Sequence, residues 1–148
     1  PNLGVVGVEE EEFVLADVPG LIEGANQGKG LGHQFLGHVE RCGVLVHVID
    51  VLQDDILAQY DLVRSELIAH SAGLAEKDEV VVLNKCDGLE LNDAEETAAR
   101  LRKHTLSPIH LVSAVSGHGV WELMGDLKAR VEAHRHRSSG AVQKEWHP

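Results

Sequence analysis

Apolar residues along this chain fall into short runs separated by polar or glycine-bearing stretches, and the spacing changes from one run to the next. Leu3–Val8 and Glu12–Ala16 are β-prone segments flanking the acidic Glu9–Glu12, a pattern that predicts an antiparallel hairpin with a solvated turn. Val44–Asp50 is a nearly continuous apolar strand, as expected in a parallel sheet covered on both faces. Ile56, Tyr60, Val63 and Leu67 then recur at helical spacing, with Asp54 or Asp55 as candidate N-cap and Gly73 as candidate stop. The apolar run Val80–Leu83 is followed by a polar helix expected from about Asp93 to His104. Pro108 ends that connection. A strand at Ile109–Val112 follows, and a last helix carries Val120, Leu123, Met124, Leu127 and Val131 on one face. Strands alternating with helices predict an α/β fold with a mostly parallel sheet. Residues 1–134 read as the domain, and 135–148, polar with Gly and Ser, as a disordered tail.

Composition narrows the choices. The 148 residues, 43% hydrophobic, suffice for one domain with a real core. A formal net charge of −11 excludes a general nucleic-acid field, so DNA is not an expected partner and any RNA contact must be local. Only Cys42 and Cys86 occur, too few for a disulfide framework, which suits a reducing, cytoplasmic setting. No apolar stretch approaches the roughly 20 residues needed to span a bilayer, and no signal-peptide pattern opens the chain. The first residue, Pro1 rather than Met, suggests an upstream segment.

Candidate chemistry lies where strands end. Asn84-Lys85-Cys86-Asp87 follows Val80–Leu83. A carboxylate held at a strand end accepts two hydrogen bonds from the N1 and N2 edge of guanine, whereas adenine offers no matching pair of donors. Such sites discriminate by roughly four to five powers of ten in favourable cases. Asn84 would contact the base and brace loops, and the Lys85 stem would cover the purine face. Standing alone, the same string is also compatible with an ordinary strand-to-loop turn. Upstream, the Phe13 strand ends in Asp17-Val18-Pro19-Gly20. Asp17 suits a carboxylate holding a Mg²⁺-bound water beside a γ-phosphate, and the Gly20 amide can face that phosphate. Downstream, Ser113-Ala114 follows the Ile109 strand, where a backbone N–H can donate to the guanine carbonyl. All three motifs stand at carboxyl ends of expected parallel strands, the ligand-binding edge of open α/β sheets.

Five glycines lie between Leu21 and Gly37. Beside a phosphate site this density suits a switch ordered by one ligand state and released in another; a flexible surface loop has the same composition. The ten histidines invite a metal reading, but His33 and His38 miss the i, i+4 spacing of helical zinc pairs, and His134 and His136 read as a solvated basic tail. His47 reads as a satisfied core histidine. Glu40 and Arg41 are candidates for pairing or capping, and Trp121 and Trp146 are too far apart for a base-stacking platform.

The stretch DVPGLIEGANQGKGLGHQFLGHVERC, Asp17 to Cys42, closely resembles the Obg family of bacterial GTPases, as does the opening PNLGVV. With NKCD and SAVSG in register, the resemblance covers roughly residues 1 to 133. It implies a P-loop NTPase fold of the small-GTPase kind, with three layers, and slow hydrolysis of GTP to GDP with Mg²⁺. It also implies a partner, the large ribosomal subunit or its precursors. In that family Asp17 corresponds to the Mg²⁺-water ligand, Gly20 to the γ-phosphate-sensing amide, Asn84, Lys85 and Asp87 to the guanine reader, and Ser113 and Ala114 to its support. Leu21 stands where many GTPases place a water-orienting Gln, and a hydrophobic residue there agrees with the family. No catalytic base is therefore assigned.

No G-x-x-x-x-G-K-[ST] string occurs in the 148 residues. That loop supplies backbone N–H groups, a Lys and a Mg²⁺-binding hydroxyl to the phosphates. The fold is accordingly expected to be N-terminally incomplete, with the strands at Phe13 and Val44 lacking a shared neighbour and exposing backbone and apolar surface. The chain alone is expected to bind GTP weakly or not at all. The rival expectation is a nucleotide-free interaction module derived from a GTPase.

Overall fold

The computed structural model describes residues 3–8, 11–16, 42–70, 73, 76–85, 88 and 91–145. Asp17, Gly20, the glycine-rich stretch from Leu21 to Gly37, Glu40, Arg41, Cys86, Asp87 and Trp146 lie outside them.

Strands β1 (Leu3–Val8) and β2 (Glu11–Ala16) form the expected antiparallel hairpin, with Leu3 opposite Ala16 and Val8 opposite Glu11. The register carries Glu11 and Glu12 into the strand, so the acidic turn is shorter than the charge run suggests. Strands β3 (Val44–Asp50), β4 (Asp78–Asn84) and β5 (Ile109–Leu111) form a parallel sheet in the order β3-β4-β5. Three helices complete the described fold: α1 (Ile56–His70), α2 (Leu91–Arg102) and α3 (Val120–Glu145).

The sheet is the middle of three layers. Val80, Val81, Val82 and Leu83 are at most 2% exposed, which marks β4 as the central strand. Side chains alternate across it. Ile49, Val81 and Leu83 pack with Ile56 and Tyr60 of α1 and with Ala98 and Leu101 of α2. Val80, Val82 and Val112 pack with Leu123 and Leu127 of α3. Burying each such Val or Leu contributes about 1.5–3 kcal/mol relative to leaving it in water. The expected stripes hold on α1 and α3, and Asp55 is the N-cap: its Oδ1 accepts from Ala58 N–H at 3.0 Å.

Three expectations need amendment. Among the described residues the Phe13 strand does not belong to the parallel sheet, since β2 pairs there only with β1. Among the described residues β2 and β3 do not pair; Phe13 is nevertheless buried against the α3 layer, whereas Val48 of β3 is 58% exposed, so the anticipated apolar exposure is seen on one of the two strands. Finally, α3 continues through 135–145, where a disordered tail was expected. His134 packs close to Gly43, whose missing side chain leaves room for the imidazole, so the helix has a tertiary contact at the point where its apolar stripe runs out.

Candidate guanine-binding site

The carboxyl ends of β3, β4 and β5 bring together residues far apart in sequence. Pairing of β3 with β4 sets Asp50 opposite Asn84, and Val51 N–H donates to Asn84 O at 3.0 Å just beyond the last rung. On the other side Val112 N–H donates to Leu83 O at 2.9 Å, which fixes where the chain leaves β5. These bonds place Ser113 and Ala114 beside Asn84.

Asn84 Oδ1 accepts from Ala114 N–H at 3.0 Å, joining two of the sequence motifs directly. Ser113 is 1% exposed and organises its own loop. Its N–H donates to His118 O at 2.9 Å, its carbonyl accepts from Gly117 N–H at 2.8 Å, and its Oγ accepts from Ser116 N–H at 3.1 Å. Both N–H groups considered as guanine donors thus have partners inside the protein, and a guanine carbonyl would have to share the Ala114 N–H with Asn84. Gly119 holds the loop's exit at φ +74°, where an added Cβ would collide with Leu111 O. Glycine is required there on both counts.

Lys85 adopts φ +66°, an uncommon conformation for a residue with a side chain. Its carbonyl accepts from Gly88 N–H at 3.0 Å. Its Nζ donates to Asp50 Oδ2 at 2.7 Å, and Asp50 Oδ1 accepts from Leu52 N–H at 2.9 Å. The Lys85 hydrogen bond, with the Leu52 amide next, lowers the Asp50 carboxyl below the ordinary carboxylate value. Sequence reasoning missed Asp50. The available signal was a carboxylate closing the apolar run of the neighbouring strand, in the same relation to β3 that Asn84 has to β4.

Asn84, Lys85, Ser113 and Ala114 are therefore brought to one edge, and Asp17, Gly20 and Asp87 lie outside the described residues. Among the described residues no group of three or more His, Cys, Asp or Glu side chains could hold a metal ion.

Comparison with known proteins gives the family. The model of a family described as 50S ribosome-binding GTPase matches residues 1–85. The chain belongs to that family. It is 50% identical over 120 residues to the GTPase Obg of Rickettsia massiliae and, to the same extent, to that of Rickettsia felis, so the Obg resemblance holds. Each alignment covers 81% of this chain and 36% of the relative, so the chain spans about a third of those proteins' length. A crystal structure described as a nucleolar GTP-binding protein 1 from Plasmodium falciparum superposes with a TM-score of 0.55 at 17% identity, covering 97% of this chain and 76% of that one. At that identity the likeness supports the fold alone.

Proposed function

We propose that this chain is the guanine-reading part of an Obg-type GTPase, which binds GTP and GDP and hydrolyses GTP to GDP and phosphate. The observation that carries the reading is the bond from Asn84 Oδ1 to Ala114 N–H, because it builds one edge from the two motifs that the sequence sets aside for the base. Asp87, next but one after Lys85, is the group that would grip the N1 and N2 edge of guanine. Mg²⁺ would be held through water by Asp17; a lone carboxylate with retained waters is a donor set that suits this ion. Its chemistry would be to neutralise charge on the phosphates. The family name and the Obg relatives favour the large ribosomal subunit or its precursors as partner. No described helix is long and apolar enough to cross a membrane, which is compatible with a cytoplasmic place of action.

The test is nucleotide selectivity. The full-length protein is expected to bind GDP and GTP far more tightly than ADP and ATP, and Asp87→Asn to lose most of that preference, because an amide cannot accept both base protons. Unchanged selectivity in Asp87→Asn would overturn the assignment of Asp87 as the guanine reader, and a parent protein that binds neither GDP nor GTP would leave the rival, an interaction module without nucleotide. The isolated 148 residues contain no phosphate loop and are expected to bind GTP more weakly than micromolar. Isothermal titration with Mg²⁺ present checks this, and micromolar affinity would contradict it.

A further inference from the structure

Asp50 belongs to no sequence motif of the site, yet it is the side chain that holds Lys85. Three features make the contact more than a surface encounter. The 2.7 Å separation from Nζ to Oδ2 is that of a charge-assisted hydrogen bond. The second carboxylate oxygen is occupied by Leu52 N–H, so the Asp50 side chain is itself fixed. The Lys85 backbone is in the left-handed region, at φ +66°, where β4 ends. Together these stretch the lysine stem from the end of β4 to the end of β3, on the side of Asn84 opposite to Ala114, along the same carboxyl edge of the sheet.

We propose that Asp50 is a positioning residue for nucleotide binding: by anchoring the Lys85 ammonium it presets the stem as the surface on which the purine lies. The inference rests on the guanine-site reading above and deepens it. A flexible lysine pays an ordering penalty when it covers a ligand, and fixing it beforehand reduces that penalty. Restraining one long side chain changes affinity by about three- to tenfold.

The experiment is a double-mutant cycle on the full-length protein, read as affinity for a fluorescent GDP, with thermal melting alongside. Asp50→Asn keeps an oxygen for Leu52 N–H and removes the charge. Lys85→Met keeps the stem and removes the ammonium. Each single variant is expected to weaken GDP binding by about three- to tenfold, and the double variant by no more than either. Asp50→Glu, which retains a carboxylate, is expected to recover part of the loss, and melting of Asp50→Asn is expected to stay near the parent's. GDP affinity unchanged in Asp50→Asn, or losses that multiply in the double variant, would overturn the role. Selectivity of Asp87→Asn, measured in the same series, separates the two failures. If it falls while Asp50→Asn binds normally, only the positioning role is lost. If the parent itself shows no preference for GDP over ADP, the guanine reading and this role are lost together.

Discussion

The two ends of the parallel sheet treat polar groups in opposite ways. At the amino end of β4, Glu79 is 5% exposed and its bonds are made inside the protein. Its Oε1 accepts from Tyr60 Oη at 2.9 Å and Ser107 Oγ at 2.8 Å, and Arg64 approaches Oε2 at 3.3 Å. Since Tyr60 donates its proton to Glu79, Thr105 Oγ1, 2.8 Å away, must donate to Tyr60. At the carboxyl end, Lys85 is half exposed and leans on a carboxylate at the surface. A closed network fixes the fold, whereas an open one leaves groups for a ligand to complete. The lesson is where binding is affordable: the closed end contributes stability, and the open end contributes little.

Glu79→Ala should therefore have the largest effect of any polar substitution discussed here. It takes the acceptor from the buried Tyr60 hydroxyl and from the partly buried Ser107 and Arg64 groups, and each buried donor left unsatisfied costs about 1–3 kcal/mol. Urea denaturation checks it, and a loss under about 1 kcal/mol would mean the network closes without the carboxylate. Stability against pH sharpens the same point. Burial raises the Glu79 carboxyl, but the nearby His47 imidazole, the Ser107 and Tyr60 hydroxyls and the Arg64 charge outweigh it and hold it down from 4.5 to about 2. A folded-state value below the unfolded one stabilises above the unfolded value and is lost as pH falls through the folded one. The parent should thus lose stability between about pH 4.5 and about pH 2 through this group, and Glu79→Ala should lack that part of the acid limb.

His47 belongs to this cluster and differs from the satisfied core histidine expected from the sequence. It is 8% exposed and stacks on Tyr60 with ring centroids 5.1 Å apart. Its Nδ1 stands 3.5 Å from Glu79 Oε2, close enough to favour the charged carboxylate but too far for a made hydrogen bond, and it is buried without a hydrogen-bond partner among the described residues.

The next effect lies on the way to the open end. Gly119→Ala forces a side chain into φ +74° and against Leu111 O. The left-handed backbone and the collision together should cost about 2–3 kcal/mol. Because the same loop presents Ala114, this variant should also weaken nucleotide binding, which Glu79→Ala, at the far end of β4, should disturb less once the protein is folded. Denaturation paired with a GDP titration reads both; equal effects on binding from the two variants would erase the distinction between the ends.

Much of this was legible in the sequence because it is periodic or terminal. The stripes of α1 and α3 repeat at helical spacing, and the strand-end motifs interrupt apolar runs. What stayed hidden depends on register. The apolar run suggests that β4 starts at Val80, but the strand begins at Asp78, because Asp78 pairs opposite Val44 and lies near Arg130, while Glu79 finds its donors in α1 and in the connection before β5. A polar dipeptide ahead of an apolar run looks like loop until its partners, 19 and 28 positions away, are known. The Asp50 and Lys85 pair is separated by 35 positions and meets only because β3 and β4 run parallel in this register. The Ala114 N–H stands at this edge, but its bond to Asn84 depends on a loop conformation set by Ser113, Gly117 and Gly119, which no spacing rule specifies.

The smallest expected effect is the most discriminating. An ion pair in solvent contributes little to folding, since water screens the attraction and ordering a long side chain offsets it. Asp50→Asn should leave the melting midpoint within about 2 °C of the parent, although it breaks the shortest ion pair at the site. Raising the salt concentration should bring the two proteins closer still, because exposed charges are the ones salt screens. If Asp50→Asn instead melted as far below the parent as Glu79→Ala, the carboxyl end would be as closed as the amino end. Its polar groups would then serve the fold, and the reason for expecting a ligand there would weaken with them.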